Sequence, residues 1–238
     1  MLDRRAFIGT TLAAATGFGL IGCTKCDGPA ESEGSESRLE APSLPPVDPD
    51  PESAFGVSRT INMHTIDDYL GLPGVNYRDM RLLRDPAQYE DIGGNSLLAL
   101  VLEGFKITPF PWIGTLAPLP VSGAYEGERL YDIEWKKGSG LEVASAEPRY
   151  TQSLQILEEV FPPEEPLILM CGGAGYAAMM RSLLVHLGWD EALVYNAGGG
   201  WDYNGSRAIQ LISPFDPTEC YYWRADLLNL DFTTLVRA

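Results

Sequence analysis

The stretch from Pro166 to Gly199 constrains the fold more than any other part of the chain. It opens with "PLILM" (166–170), a continuous apolar run of the kind that forms a strand buried on both faces of a sheet. Cys171 and three glycines in the next four positions follow, "CGGAG". From Tyr176 to Leu187, Ala177, Met180, Leu184 and Leu187 recur at helical spacing. "EALVYNAGGG" then supplies a second buried strand over 192–197 and another glycine turn. Strand, turn, helix and strand in this order predict an α/β domain with a largely parallel sheet.

Elsewhere the pattern is looser. "SRTIN" (58–62) is a short strand candidate, and Thr65 with Asp68 marks a helix start. "GVNYRDMR" (74–81) reads as a strand ending in charge, and the stretch from Asp85 to Gly104 as one that contains a helix with a glycine break. "FKITPFP" (105–111) is a short strand stopped by Pro109 and Pro111. "ERLYDIEW" and "GLEVAS", joined by "KKGSG", predict a β-hairpin. A helix is expected over 149–161, with Leu154, Ile156, Leu157, Val160 and Phe161 at helical spacing. The tail, 206–238, carries Tyr221, Tyr222, Trp223 and Phe232 and is expected to dock on the core.

The N-terminus has a different character. Arg4, Arg5 and Phe7 precede the apolar "TTLAAATGFGLIG", which is too short for a stable bilayer span and reads as an export signal over 1–22. The arginine pair resembles a twin-arginine signal, and "LIGC" (20–23) resembles the lipobox of bacterial lipoproteins. That resemblance implies cleavage before Cys23, which is left N-terminal and diacylated, and attachment to the cell envelope by lipid. Residues 27–54 hold eight acidic residues, one basic residue and six prolines, so 23–54 is expected to be a tether before a domain at 55–205. A formal charge of −16 over 238 residues argues against nucleic acid or an anionic membrane surface as partner.

Cys171 is the residue on which chemistry can be hung. It lies between a buried strand and a helix start, at the carboxyl edge where α/β sheets gather ligands. The N–H groups of Gly172, Gly173, Ala174, Gly175 and Tyr176 can curl into a nest that lowers a thiol's pKa and exposes the nucleophilic thiolate. The bland account of the same turn is a buried, inert cysteine. His64 and His186 are the only histidines and lie far apart, so no zinc site is expected, and no phosphate-binding loop or serine-nucleophile motif is present.

The longer segment "CGGAGYAAMMRSLLVHLGWDEALVYNAGGGW" resembles the active-site half of rhodanese-like domains. The shared features are Cys171 opening a helix, Leu187–Gly188–Trp189 closing it, a strand, and Gly198–Gly199 near Trp201. "YRDMR" matches the family's D-x-R strand end through Asp79 and Arg81. The resemblance spans roughly 58–205 and is strongest after 165. It implies a five-stranded parallel sheet flanked by helices, to which the hairpin and the C-terminal extension would be additions. It further implies a sulfurtransferase that needs no cofactor and carries sulfane sulfur as a persulfide on Cys171. A small sulfur donor and a thiol acceptor would be the partners, Asp79 and Arg81 would support the loop, and Trp201 would stand at the pocket rim. Tyr176 stands where many active members carry a basic residue, and position 177 is alanine where the related phosphatases need arginine. A catalytically silent binding module, or redox chemistry between Cys171 and Cys220, are the alternatives.

Overall fold

The computed structural model describes residues 43–82, 100–118, 125, 127–138, 141–210, 228 and 230–238. The export signal, Cys23, Cys26, the first part of the acidic segment, residues 85–99 of the stretch expected to contain a helix, Cys220 and the aromatic triplet at 221–223 lie outside them, while Leu100–Leu102 at the end of that stretch form a strand.

The main sheet has four parallel strands: β1 (Asn76–Asp79), β3 (Lys106–Ile107), β6 (Leu167–Cys171) and β7 (Val194–Gly199), in the order β3-β1-β6-β7. The fifth strand implied by the resemblance is not present among the described residues. β6 is buried at every position, as an apolar run in the centre of a parallel sheet must be. Its alternate side chains feed two cores: Leu167, Leu169 and Cys171 join one, Ile168 and Met170 the other.

The first core is closed by α2 (Ser153–Val160), α3 (Gly175–Leu187) and the antiparallel hairpin of β4 (Tyr131–Trp135) and β5 (Val143–Pro148). The spacing of α3 predicts one apolar face, yet Ala178, Met179 and Leu183 are buried as well. The helix is wedged between the strands β6 and β7 on one side and β5 and α1 (Phe110–Ile113) on the other, so more than one of its faces needs apolar side chains. In α2, Leu157 and Val160 are buried while Leu154 is 41% exposed, so only part of the expected stripe faces inward.

β3 stops at Ile107, before Pro109 as expected, and Pro111 sits in the first turn of the short α1, where its missing N–H costs nothing. Other expectations are corrected. Residues 58–62 form a turn instead of a strand, because the Ser58 hydroxyl accepts from the N–H groups of Thr60 and Ile61 and curls the backbone around itself. Beyond it lies a single 3₁₀ turn, Ile66–Tyr69, without a side-chain cap from Thr65.

The ordered chain also begins before Phe55. Leu44 and Val47 pack on the second core, the Tyr195 hydroxyl donates to the Pro45 carbonyl at 2.6 Å, and Arg59 pairs with Asp48. Proline and acidic content predicts a tether here, but prolines lower the entropy lost on docking, and two apolar side chains suffice to anchor the segment. At the other end, β2 (Leu100–Leu102) pairs antiparallel with β8 (Ala208–Gln210). Leu228, Leu230, Phe232 and Leu235 rest half-buried against the first core. No helix among the described residues is long and apolar enough to cross a membrane.

Candidate functional site around Cys171

In-register pairing decides what surrounds Cys171. Asp79 of β1 lies opposite Met170, and Gly199 of β7 lies opposite Cys171, so three strand ends meet at one edge of the sheet. The expected residues Cys171, Asp79, Arg81 and the 172–176 loop are therefore brought together there.

The loop itself is tight. Ala174, which precedes α3, has φ 67° and ψ −19°, a left-handed conformation that costs a non-glycine residue roughly 1 kcal/mol. Its carbonyl accepts from Ala178 N–H at 3.0 Å and from Asn196 Nδ2 at 3.5 Å, two partners that hold the strained residue in place. Gly172 accepts at its carbonyl from the N–H of Trp201 at 3.2 Å. A Cβ on Gly199 would stand 2.3 Å from the Gly172 carbonyl oxygen and 2.7 Å from Gly173 Cα, so the two glycine turns touch backbone to backbone. The Trp201 ring lies on Gly173, where a Cβ would come within 2.9 Å of it. Trp201 is 49% exposed.

Around the sulfur, the amides of Ala177, Tyr176 and Gly173 donate hydrogen bonds to the thiol. These favour the thiolate, as the glycine turn leads one to expect. The net shift is nevertheless upward. Cys171 is only 3% exposed, burial is the largest influence, and the charge of Asp79 adds to it. The sequence-based expectation of a lowered pKa is thus corrected: the cradle exists, but desolvation outweighs it. The loop itself contains no Lys or Arg. The nearest in sequence, Arg181, is occupied by Glu191 at 2.7 Å and the Val194 carbonyl at 3.0 Å. Tyr176, where the resemblance implies a basic residue, has a half-buried ring 6.2 Å from that of Phe110.

Asp79 and Arg81 form a buried ion pair. Arg81 Nε lies 2.9 Å from both carboxylate oxygens, and the Arg81 N–H donates to Asp79 Oδ1 at 3.1 Å. The Arg81 guanidinium also reaches the turn after β7, 4.0 Å from where a Cβ on Gly200 would stand. A carboxylate engaged in this way supports a neighbouring turn and is poorly placed to act as a base.

Asn196 is a site residue that the sequence analysis overlooks. It is 1% exposed, donates to the Phe55 carbonyl at 2.8 Å and to Ala174, and accepts from Gly198 N–H at 3.0 Å. One side chain thus joins the N-terminal segment, the cysteine loop and the β7 turn. The clue was available: an amide inside the apolar "LVYNA" has to find buried partners.

A cavity of about 330 Å³ opens beside the same strand end, lined among others by Val57, Met63, Ala197 and Gly199. Cys171 does not line it. Met63 and Ala197 belong to the second core and Cys171 to the first, so thiol and cavity occupy opposite faces of the sheet. Among the described residues no cluster of His, Cys, Asp and Glu could hold a metal ion.

No protein-family model, curated protein or solved structure matches this chain. What stands on its own geometry is the class: an α/β domain with a four-stranded parallel sheet flanked by helices and a cysteine loop at its carboxyl edge.

Proposed function

We propose that the domain is rhodanese-like and that Cys171 carries sulfane sulfur as a persulfide. The observation that supports this reading is the convergence of three amide N–H groups, from Gly173, Tyr176 and Ala177, on one sulfur at a strand–helix junction. Such fixed donors stabilise negative charge on the sulfur without a cation. After the thiol proton is lost to solvent, the Cys171 thiolate attacks the outer sulfur of a donor such as thiosulfate. A Cys171–sulfur bond forms as the donor's sulfur–sulfur bond breaks, and sulfite leaves with the electron pair. An acceptor thiolate then attacks the terminal sulfur, becomes a persulfide itself and releases the Cys171 thiolate. No external oxidant or reductant is consumed. Intact-mass measurement after thiosulfate treatment should show one added sulfur atom, absent in Cys171→Ser. Failure of every sulfane donor to add sulfur would remove the proposal.

A second reading, a silent rhodanese-like binding module, is favoured by the near-complete burial of Cys171 and its raised pKa. It predicts that Cys171→Ser leaves function in the cell unchanged. Redox pairing with Cys220 involves a residue outside the described ones.

The proposal extends to location: an exported lipoprotein of the cell envelope, anchored through Cys23, as the arginine pair and lipobox suggest. Metabolic labelling with a clickable palmitate analogue should mark the chain and should fail with Cys23→Ala.

A further inference from the structure

We propose that residues 44–57 are a strap whose docking keeps the Cys171 loop closed and whose release opens it. The inference rests on the position of the loop and on neither reading of its chemistry, so its test needs no sulfur transfer.

The strap is built to move as a unit. The Asp50 N–H donates to the Val57 carbonyl and the Arg59 N–H to the Asp48 carbonyl, each at 2.8 Å. The Arg59 guanidinium holds the Asp48 carboxylate through bonds of 2.6 and 3.0 Å. What ties this unit to the rest is thinner. Leu44 and Val47 are only half-buried on the second core. Hydroxyls of Tyr195 and Thr60 donate to the carbonyls of Pro45 and Pro46, and the Ser58 N–H donates to the Asn196 carbonyl at 2.8 Å. Few buried apolar contacts, with bonds close to water, mark a segment that opens before the whole fold does. β7, on which it docks, is an edge strand of the main sheet, so the strap can leave without breaking a strand pair.

Two routes carry its position to the thiol. Asn196 Nδ2 donates to the Phe55 carbonyl at 2.8 Å and to the Ala174 carbonyl at 3.5 Å, so one amide spans strap and loop. Val57 presses on Gly198, its Cγ1 3.2 Å from where a Cβ would stand, and the next residue, Gly199, meets Gly172 and Gly173 backbone to backbone. When the strap leaves, Asn196 loses its shorter bond and Gly198 loses Val57. Ala174 then relaxes most readily, because its left-handed backbone persists only while its surroundings hold it. The strap is also the first part of the described domain after Cys23 in sequence, so tension on a chain anchored there reaches it before the sheet.

Hydrogen exchange on the full chain, with alkylation read on the peptide that contains Cys171, tests the coupling in both directions. In Leu44→Ser/Val47→Ser the amides of Asp50, Ser58 and Arg59 should lose protection. The Ala178 amide, which donates to Ala174, should exchange faster, and iodoacetamide should modify Cys171 several-fold faster, with the β4–β5 hairpin unchanged. Coupling is reciprocal, so carbamidomethylation of Cys171 in the parent should loosen the same strap amides more than those of the hairpin. Strap release without faster alkylation, acceleration spread equally over the hairpin, or a modified thiol that leaves the strap as protected as before would each overturn the proposal. So would a strap that stays protected in the double variant, because Leu44 and Val47 would then not hold it.

Discussion

The two faces of the sheet end in opposite solutions to the same problem. On one, Cys171 is buried and surrounded by backbone N–H groups, with no cation in its loop. On the other, an open cavity carries carboxylates over an apolar wall. The strand end at Gly198–Gly199 separates them, since Gly199 presses on the cysteine loop and also lines the cavity. The difference teaches where electrostatics comes from in each place. Backbone dipoles can be placed at a buried thiol because glycine and the helix start bring them there without an added charge to desolvate. Side-chain charge near the thiol is confined to the buried Asp79–Arg81 pair, where each charge meets its opposite.

The sharpest way to break the comparison is to separate the two turns. In Gly199→Ala the new methyl would stand 2.3 Å from the Gly172 carbonyl oxygen, and backbone on both sides has to move. Overpacking of this kind is expected to cost about 3 kcal/mol, read as a lowered urea midpoint at unchanged slope. A loss below about 0.5 kcal/mol would mean that the turns do not constrain each other.

Asn196→Ala tests the same junction from its side chain. It leaves the Gly198 N–H without its acceptor and takes a donor from the Phe55 and Ala174 carbonyls. A cost of about 1–3 kcal/mol is expected. A further consequence is specific to the site: Ala174 loses one of the two partners that hold its left-handed backbone. Hydrogen exchange at the start of α3 should accelerate more than in β1. Uniform acceleration would assign Asn196 to general stability alone.

The parts of this arrangement visible in the sequence are those encoded locally. β6 and α3 follow from an unbroken apolar run and a 3.6-residue period, and the hairpin from alternation around a glycine turn. Asp79 and Arg81 could be placed at a strand end for the same reason. The net direction of the Cys171 shift was not legible, because it depends on how α1, the hairpin and Tyr176 close over the thiol from distant parts of the chain. Nor was the docking of 43–54, where composition argues for a tether and two apolar side chains with a few long-range hydrogen bonds decide otherwise. The cavity depends on contact between 57–64 and β7, which no local pattern encodes.

The raised pKa of Cys171 gives a signed pH prediction. The folded state keeps the thiol proton at a pH where the unfolded chain has lost it. The contribution is therefore full below the unfolded thiol's pKa of about 8.5, and declines as pH rises toward and through the folded value. Several tyrosines are also shifted upward by burial, Tyr131 to about 12, so the parent chain alone cannot isolate the effect. The difference between parent and Cys171→Ser isolates it: their urea midpoints should converge as the pH is raised from 7.5 to 10. A gap that widens over this range would mean the amide cradle outweighs burial after all.

Trp201 offers the mildest perturbation and the most direct view of how a buried thiol is reached. Its ring covers Gly173 while half of its surface faces water, so truncation to alanine removes little packing, about 1 kcal/mol. The covered glycine belongs to the loop whose amides hold the sulfur, so removing the ring opens the solvent side of the cradle without touching its donors. Iodoacetamide should therefore modify Cys171 several-fold faster in Trp201→Ala than in the parent at the same pH. Because modification requires thiolate as well as access, the pH midpoint of the reaction separates the two contributions. A faster rate with the midpoint still above that of an ordinary thiol assigns Trp201 to access. A faster rate with a midpoint moved downward assigns it to desolvation, and the cradle then emerges once water enters. An unchanged rate would place the route to Cys171 elsewhere, on the side of Phe110 and Tyr176.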